Sequence, residues 1–433
     1  MDFNELKNKA DEFRKNKQYE NAMDYYRQCW ENHRKSCDEW VGWGYAYSLR
    51  KLEKYDQALN ISREVYKIKP DFDLNNNVYA WCIYYTEIKK EKISDSQTYE
   101  KAARGILKLS KPDDKYSPYL KTVFQVLDHF RRPDFNAQKV LEWTDYLIPE
   151  NLSNEPGIFT AKDGKNRAVA SDLENYFAIR SEALLQLGKY NECIELCNQA
   201  LNTINKFHYS NDVWFRRRIA NSYAGLGNLD EALKMFNSLL IEKKEWFIQK
   251  EIADLFFKKN KTDDALQYAV DSALNSGDWD KKINLYILMT NIFESKGQQD
   301  LAKLHVELVI SIKQQMDWKI KDTDVQQMKK FNIDSNKQYD YKQIYNTLHK
   351  EWEKIKYKSS KRSNGVIKTI LPNNKSGFIR SDDGNEYYFA SRDVEGRMEN
   401  IKENDRVSFY IEEGFDKKKG KSSPVAVKIK KND

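Results

Sequence analysis

Residues 223–240 read YAGLGNLDEALKMFNSLL, and residues 184–201 read LLQLGKYNECIELCNQAL. In each segment an apolar stretch ends in a short turn that carries glycine, and a second amphipathic stretch then begins with a small residue near its start. The apolar residues recur at spacings of three and four, which predicts two helices joined by a tight turn. The same pattern occurs elsewhere in the chain, so it decides the fold class.

The small residue of the second helix aligns six such units. It is occupied in turn by Ala22, Ala58, Cys193, Ala232, Ala265 and Ala302. The units then start near residues 3, 39, 174, 213, 246 and 283. This pattern resembles the tetratricopeptide repeat, a helix–turn–helix unit of about 34 residues. The resemblance implies a mainly α fold, with a tetratricopeptide-like solenoid over residues 1–316.

The resemblance to the tetratricopeptide repeat weakens between residues 72 and 173. Residues 101–109 and 137–147 still look helical, whereas residues 151–171 read as a long loop. Either divergent repeats continue here or an insertion interrupts the solenoid. Continuity is favoured because a helix pair cannot bury its apolar face without neighbours.

The helical pattern ends after residue 358. Residues 317–340 are polar, and residues 341–358 predict one more helix, whose Trp352 we expect to pack on the end of the solenoid as a cap. His305 falls in the second helix of a repeat, where we expect a half-buried packing residue. Residues 317–362 are therefore interpreted as a helical cap followed by a short basic linker.

The C-terminal segment has strand and turn signals instead. Residues 364–390 read NGVIKTILPNNKSGFIRSDDGNEYYFA, in which the DDGN of residues 382–385 is a strong hairpin turn. Strands are predicted around residues 366–367, 377–380, 386–390, 405–414 and 424–430. Five short strands at this spacing predict a small closed β-barrel over residues 363–431.

Residues 364–390 resemble the first three strands of a cold-shock domain, a nucleic-acid-binding barrel of the OB type. Gly377 and Phe378 match the end of its first ribonucleoprotein-type motif, and Tyr388 matches the aromatic residue of the second. The resemblance implies that Phe378 and Tyr388 stack on the bases of a single strand, with RNA favoured over DNA. The sequence departs from the family pattern at Ser376, Ala390 and Thr369, which replace two aromatic residues and a histidine.

The alternation of side chains along a strand predicts which residues of this segment face the barrel core and which face outwards. Ile379 and Phe389 should point into the core, and Phe378, Arg380 and Tyr388 should point outwards. The flanking cations complete the predicted nucleic-acid site, and they are Lys368, Lys375, Lys417, Lys418 and Lys419. Lysines of this kind contact phosphates and add affinity without reading sequence.

A second predicted site is the concave face of the solenoid, where a protein partner would bind. Its predicted residues are Trp214, Arg217, Arg218, Asn221, Phe247 and Lys250. Arg217 and Asn221 are four apart on one face, which is similar to the pair with which some tetratricopeptide domains bind a terminal carboxylate. Glu251 and Asp254 stand against that interpretation. The arginines of residues 216–218 equally suit a solvated face or a phosphate contact.

Composition and charge bound the class of protein. Of the 433 residues, 32% are charged and 40% apolar, and the net charge is +7. The last 73 residues carry 16 basic and 12 acidic side chains, so more than half of the surplus lies in this C-terminal segment, which includes the predicted barrel. No stretch predicts a signal peptide or a membrane span, and we expect a cytoplasmic protein.

Cys193 and Cys197 share a helical face and are interpreted as small core residues rather than metal ligands.

No motif predicts catalysis. The five histidines are scattered, and the sequence lacks HExxH, GxxxxGK[ST] and GxSxG. The sequence therefore predicts a noncatalytic adaptor without a cofactor, which binds a protein partner through the solenoid and single-stranded nucleic acid through the barrel. Two alternatives stay open: a pure protein-interaction scaffold, and a nucleic-acid-sensing regulatory subunit of a separately encoded effector in a bacterial conflict system.

Overall fold

The structure, a computed structural model, describes residues 1–432 with the exception of 91, 92, 94, 133, 335, 336, 373 and 417–420. Within these residues it contains eighteen α-helices and seven β-strands. The chain forms two compact units, Met1–Leu239 (unit 1) and Leu240–Asp433 (unit 2). None of the described helices is long and apolar enough to cross a membrane.

Unit 1 consists of consecutive antiparallel helix pairs and one hairpin. Its helices are α1 (Phe3–Lys15), α2 (Tyr19–Asn32), α3 (Glu39–Lys51), α4 (Tyr55–Ile68), α5 (Asp73–Ile83), α6 (Ser96–Leu109), α7 (Tyr119–Arg131), α8 (Ala137–Thr144), α9 (Asp172–Gln186), α10 (Tyr190–Thr203) and α11 (Asn211–Gly225), and α12 (Leu229–Glu242) crosses the boundary. The hairpin consists of β1 (Gly157–Thr160) and β2 (Asn166–Val169).

Unit 2 continues with helices and ends in a barrel. The helices are α13 (Trp246–Lys258), α14 (Thr262–Leu274), α15 (Ile283–Ser295), α16 (Gln299–Gln315), α17 (Asp322–Lys330) and α18 (Tyr341–Tyr357). The strands are β3 (Ser363–Ile370), β4 (Ser376–Ser381), β5 (Glu386–Ala390), β6 (Arg406–Asp416) and β7 (Lys421–Lys431).

The predicted repeat starts agree with the first helix of each pair. Starts near residues 3, 39, 174, 213, 246 and 283 correspond to α1, α3, α9, α11, α13 and α15, all within two residues. The six aligned small residues are completely buried. They lie where the second helix packs on the first. A larger side chain at this position would push the two helices apart, so the residue is small.

The turns inside the pairs need one residue in the left-handed region of backbone conformation. Glycine supplies it at Gly188 and Gly227, with φ of 71° and 82°. Lys17, Glu53 and Asn260 take the same place in other pairs, with φ between 58° and 59°. The left-handed turn conformation therefore occurs in these pairs without a glycine. For this reason the glycine of the repeat pattern is missing from some units of the sequence.

The weak region of residues 72–173 remains helical and contains an insertion. Helices α5 to α8 pack in sequence, so divergent helix pairs continue there. The prediction of a long loop over residues 151–171 was wrong, because β1 and β2 form a hairpin between α8 and α9. Gly164, with φ of 76°, closes its turn. The segment 317–340 also contains a helix, α17, that the sequence reading missed because its apolar residues are few.

The helical part ends with α18, which packs on α14 and α16. Trp352 is completely buried, and its indole N–H donates to His305 Nε2 at 3.1 Å. The His305 Nδ1 atom lies 2.7 Å from the Leu301 carbonyl oxygen and donates to it, since Nε2 is the acceptor. His305 is fully buried rather than half-buried as expected. Its ring therefore bridges α16 and α18 inside the core.

Candidate nucleic-acid interface

The barrel closes in the strand order β3-β4-β5-β7-β6. β3 pairs with both β4 and β6, and β5 pairs with β7 in parallel, whereas the other pairs are antiparallel. This closed five-stranded topology is consistent with an OB fold. Gly377 is required where β4 meets β3, because a Cβ atom there would lie 2.4 Å from the Thr369 carbonyl oxygen.

The alternation predicted for β4 and β5 is confirmed by the burial of the side chains. Ile379 and Phe389 are completely buried in the barrel core, and Tyr388 is 41% exposed on the outer surface. Phe378 is half-buried beside it, and Arg380 is exposed. The reason is the two-residue period of a strand, which separates the apolar core face from the outer face.

Phe378 and Tyr388 form the centre of this outer surface. They are direct partners across β4 and β5, and their ring centroids lie 5.7 Å apart at an interplanar angle of 71°. Thr369 pairs with Phe378 from β3, and Val425 pairs with Tyr388 from β7. We call Thr369, Phe378, Tyr388 and Val425 the outer row, since they cross four neighbouring strands.

The cations beside the outer row are held by one carboxylate. Lys368 Nζ donates to Glu386 Oε1 at 2.5 Å, and Arg380 Nη2 donates to the same oxygen at 3.3 Å. The hydrogen bond from Lys368, with a smaller one from Arg380, lowers the pKa of Glu386 below its usual value. The site therefore contains two basic groups whose charge is partly compensated before any ligand arrives.

Glu386 is a site residue that the sequence reading missed. It lies two residues before Tyr388 on the same strand, so alternation places it on the same face. Its position was available from the sequence, but its pairing with Lys368 and Arg380 follows from strand register.

We expect Glu386→Gln to strengthen the binding of a labelled uridine oligonucleotide to the full-length chain by about two- to fivefold, because it releases Lys368 and Arg380 for phosphates. Fluorescence anisotropy at low salt measures the change. Glu399→Gln removes the same charge from an exposed barrel position outside the outer row and is the matched control. Equal effects of the two variants would show that only net charge matters, and weaker binding by Glu386→Gln would contradict the prediction.

Of the other predicted phosphate-binding lysines, the structure describes one. Lys375 is exposed at the start of the β4 hairpin, close in sequence to the outer row. Lys417, Lys418 and Lys419 lie outside the described residues. Ser376, at the first departure from the cold-shock pattern, is buried and pairs with Ala390.

The barrel is attached to the helices of unit 2 through β6 and β7. Tyr357 of α18 stacks on Tyr410 of β6, with centroids 4.1 Å apart and planes 11° apart. The Tyr357 hydroxyl donates to Glu412 at 2.6 Å, and Lys356 lies 2.8 Å from Glu412 and 3.3 Å from Asp271 of α14. Burial alone would raise the pKa of Glu412, but Lys356 and the Tyr357 hydroxyl outweigh it and lower that pKa. β7 takes part as well, since Lys428 pairs with Glu353 of α18. Glu412 is the direct cross-strand partner of Val425, so the outer row ends beside the attached face.

The residues predicted for partner binding are all half-buried. In unit 1, Trp214, Arg217, Arg218 and Asn221 all lie on α11, and the Arg217 guanidinium lies 5.3 Å from the Trp214 ring centroid. Burial lowers the pKa of Arg218, whose Nη1 atom is enclosed without a hydrogen-bond partner within the described chain. Arg218 is thus directed into the packing of unit 1 and is poorly placed for a ligand.

The other two groove residues lie on α13 of unit 2. Phe247 and Lys250 are half-buried, and Lys250 Nζ lies 3.5 Å from a carboxylate oxygen of Glu251. This ion pair partly compensates the charge on which the predicted contact depends. The role of these residues in partner binding stays a prediction.

Comparison with protein families gives two matches. Residues 8–31 match the model of the tetratricopeptide repeat, and residues 213–351 match a domain of unknown function (DUF7017). The first match covers most of α1 and α2, the helix pair whose start was predicted at residue 3. A search of curated proteins found no match.

Solved structures with a related arrangement include three proteins of low identity. A tetratricopeptide repeat protein from Parabacteroides merdae is 15% identical, with 76% of this chain and 97% of that chain covered and a TM-score of 0.32. The human IFIT1 dimer with PPP-AAAA is 14% identical, with 81% and 77% covered and a TM-score of 0.38. TTC0263, a tetratricopeptide protein from Thermus thermophilus, is 12% identical, with 59% and 100% covered and a TM-score of 0.21.

Helix pairing, turn geometry and the repeat-family match agree with one another. The helical part of the chain is a tetratricopeptide-like repeat structure, and a closed five-stranded barrel consistent with an OB fold follows it.

Proposed function

We propose that this protein is a noncatalytic adaptor whose barrel binds single-stranded nucleic acid on the outer row while the helical repeats bind a protein partner. The observation that carries the proposal is the Phe378–Tyr388 pair. Two aromatic side chains stand side by side on the outer face of neighbouring strands, although each would gain more by burial in the core. A pair with one exposed and one half-buried ring on the outer face is a platform for stacked bases.

The surroundings of the pair fit the same ligand. Lys368 and Arg380 lie beside the rings, at a position where phosphates of a strand crossing the row would pass. The similarity to the cold-shock motif at Gly377, Phe378 and Tyr388 favours RNA. Thr369 and Ala390 offer no aromatic face, so we expect fewer stacked bases than a full motif would hold, and a moderate affinity.

The protein partner is supported by the repeat fold, because tetratricopeptide-like helices usually present a surface for another protein. The noncatalytic assignment is supported by how the buried titratable groups are used. His305 is fixed by hydrogen bonds to α16 and α18. Glu174 accepts from the His208 and Asn211 side chains at 2.9 and 2.8 Å, and it serves to join α9 to the start of α11.

Fluorescence anisotropy of the full-length chain with labelled uridine and thymidine oligonucleotides at several KCl concentrations tests the proposal. We expect binding with log Kobs falling linearly as log[salt] rises, by about 0.7 per phosphate contacted. Tighter binding of the uridine strand would establish the RNA preference. Absence of binding to both strands at low salt would exclude the nucleic-acid role and leave the scaffold alternative.

A further inference from the structure

The hairpin of β1 and β2 exposes large apolar side chains. Ile158 is 76% exposed and Phe159 is 57% exposed. They are neighbours on β1, so they point to opposite faces of the hairpin, and both faces are exposed there. Thr160 and the first three residues of β2 are exposed as well. A two-stranded sheet of this kind is marginally stable in water, so a further contact would stabilise it.

The register of the hairpin decides which backbone groups of β1 pair with β2. At the tip, the Ala161 N–H donates to the Lys165 carbonyl oxygen at 3.0 Å. At the base, the Leu173 N–H donates to the Ser153 carbonyl oxygen at 3.1 Å, on the same register. Hydrogen-bonded and non-hydrogen-bonded positions alternate along an antiparallel pair. Every second residue of β1, counted back from Ala161, therefore bonds to β2.

Ile158 and Thr160 are the other residues of β1, so their N–H and C=O groups point away from β2. In the part of the chain that the structure describes, no further strand pairs with them. β1 reads GIFT and contains no charge, proline or register shift, the features that usually protect an edge strand. Pro156, which precedes β1, has no N–H. The open edge is therefore confined to Ile158 and Thr160.

The tip of the hairpin is basic. Lys162 and Lys165 are both exposed, and neither has a carboxylate partner among the described residues. The carboxylate of the turn, Asp163, is already paired with Arg167 at 3.0 Å. A strand added beside β1 would therefore meet two uncompensated positive charges at one end, and acidic side chains complement them.

We propose that the outer edge of β1 binds an extended segment of a protein partner, which pairs as a third strand and carries acidic residues beside the hairpin tip. Backbone hydrogen bonds to Ile158 and Thr160 would hold the segment, and apolar side chains of the segment would cover Ile158 and Phe159. A second copy of the chain fits less well, because it brings a neutral strand and a basic tip. Two edges of four residues also bury far less than the roughly 1,200 Å² of a specific dimer interface.

The first test is fluorescence anisotropy of the full-length chain with a labelled synthetic peptide in which valine and threonine alternate and two glutamates end the strand. We expect a Kd of roughly 10 μM to 1 mM, because the contact is small. Thr160→Pro removes the outward N–H but none of the bonds to β2, and should weaken binding by about five- to tenfold. Thr160→Val keeps that N–H and should bind like wild type. Circular dichroism establishes that each variant is folded.

A second test leaves the chain unchanged and modifies the peptide. Only every second amide of the peptide can face β1. Of two peptides that are N-methylated at alternate amides, one should therefore lose binding and the other should keep it. Equal binding of the two methylated peptides, or equal Kd values for Thr160→Pro and wild type, would overturn the proposal.

The charge of the partner is tested separately. Lys165→Gln should weaken binding of the glutamate peptide by about two- to fourfold, since it removes one of the two cations at the tip. Lys67→Gln, at an exposed position of α4, is the charge-matched control and should have no effect. A peptide with lysines in place of the glutamates should bind more weakly, and equal or tighter binding of that peptide would overturn the acidic partner.

Two further outcomes distinguish this surface from the others. Loss of peptide binding in Trp214→Ala but not in Thr160→Pro would place the peptide at the predicted groove of α11 and overturn the proposal. Dimerisation of wild type that Thr160→Pro abolishes would overturn it in favour of a second copy. The proposal does not depend on nucleic-acid binding by the barrel, which is measured with oligonucleotides.

Discussion

Replacement of both Phe378 and Tyr388 by alanine should weaken the binding of a uridine oligonucleotide at the barrel by about 2–6 kcal/mol, because each ring stacks on one base and each stacked base contributes about 1–3 kcal/mol. The rings are partners across β4 and β5, and one strand of nucleic acid crossing the outer row meets both. Anisotropy titrations of the full-length chain measure the loss. The salt slope should change little, since the phosphate contacts remain.

Ile411→Ala is the control for this double substitution. Ile411 is an apolar side chain of β6 that is 42% exposed, so its truncation removes surface of the same kind outside the outer row. Leucine at positions 378 and 388 keeps apolar area but not the aromatic faces and should recover only part of the affinity. Double-alanine and wild-type chains of equal affinity would contradict the barrel site.

Acidification from pH 6.5 to pH 4 should cost unit 2 about 3 kcal/mol of unfolding free energy through His305 alone. Burial lowers the pKa of His305 from its ordinary value near 6.5 to about 4, and the hydrogen bond to the Leu301 carbonyl opposes this only in part. The unfolded chain therefore binds a proton in this range that the folded chain does not. The contribution is fully present above pH 6.5, falls as the pH decreases, and is lost once the pH reaches about 4.

Urea unfolding followed by tryptophan fluorescence at a series of pH values measures this dependence, and His305→Gln isolates it. The glutamine does not titrate, so the difference between variant and wild type should shrink towards acid pH by about 3 kcal/mol. Carboxylates and the other histidines are common to both chains and cancel. NMR titration of wild type gives the pKa without unfolding, and a value near that of an exposed histidine would refute the prediction.

Local pattern was enough to predict the helix pairs because their signals repeat. Apolar spacing, a small residue in the second helix and a left-handed turn residue occur within each pair, so their positions are linked over short distances. The same holds for Ile379, Phe389 and Tyr388, whose orientation follows from alternation along one strand. The hairpin of β1 and β2 was missed because two strands of four residues, with Ile158 and Phe159 both largely exposed, give no alternation between core and solvent.

The pairings of side chains at the candidate nucleic-acid site could not be predicted from any one segment of the sequence. Glu386 holds Lys368 of β3 and Arg380 of β4 because strand register brings three strands together at one point. The Arg14 guanidinium of α1 lies over the Trp43 ring of α3, and the Lys121 ammonium of α7 lies over the Trp81 ring of α5, although the residues of each pair are distant in sequence. His305 was expected to be half-buried, and only the packing of α18 on α16 encloses it.

The sequence by itself determined the helix pairs, the five barrel strands and the outward direction of the Phe378 and Tyr388 side chains, since each of these depends on periodicity within a few residues. The tertiary structure decided which charges are compensated, which ring lies beside which cation, and that His305 is enclosed between two helices. These properties depend on distances between residues far apart in the chain, and such distances are set only when the helices and strands pack.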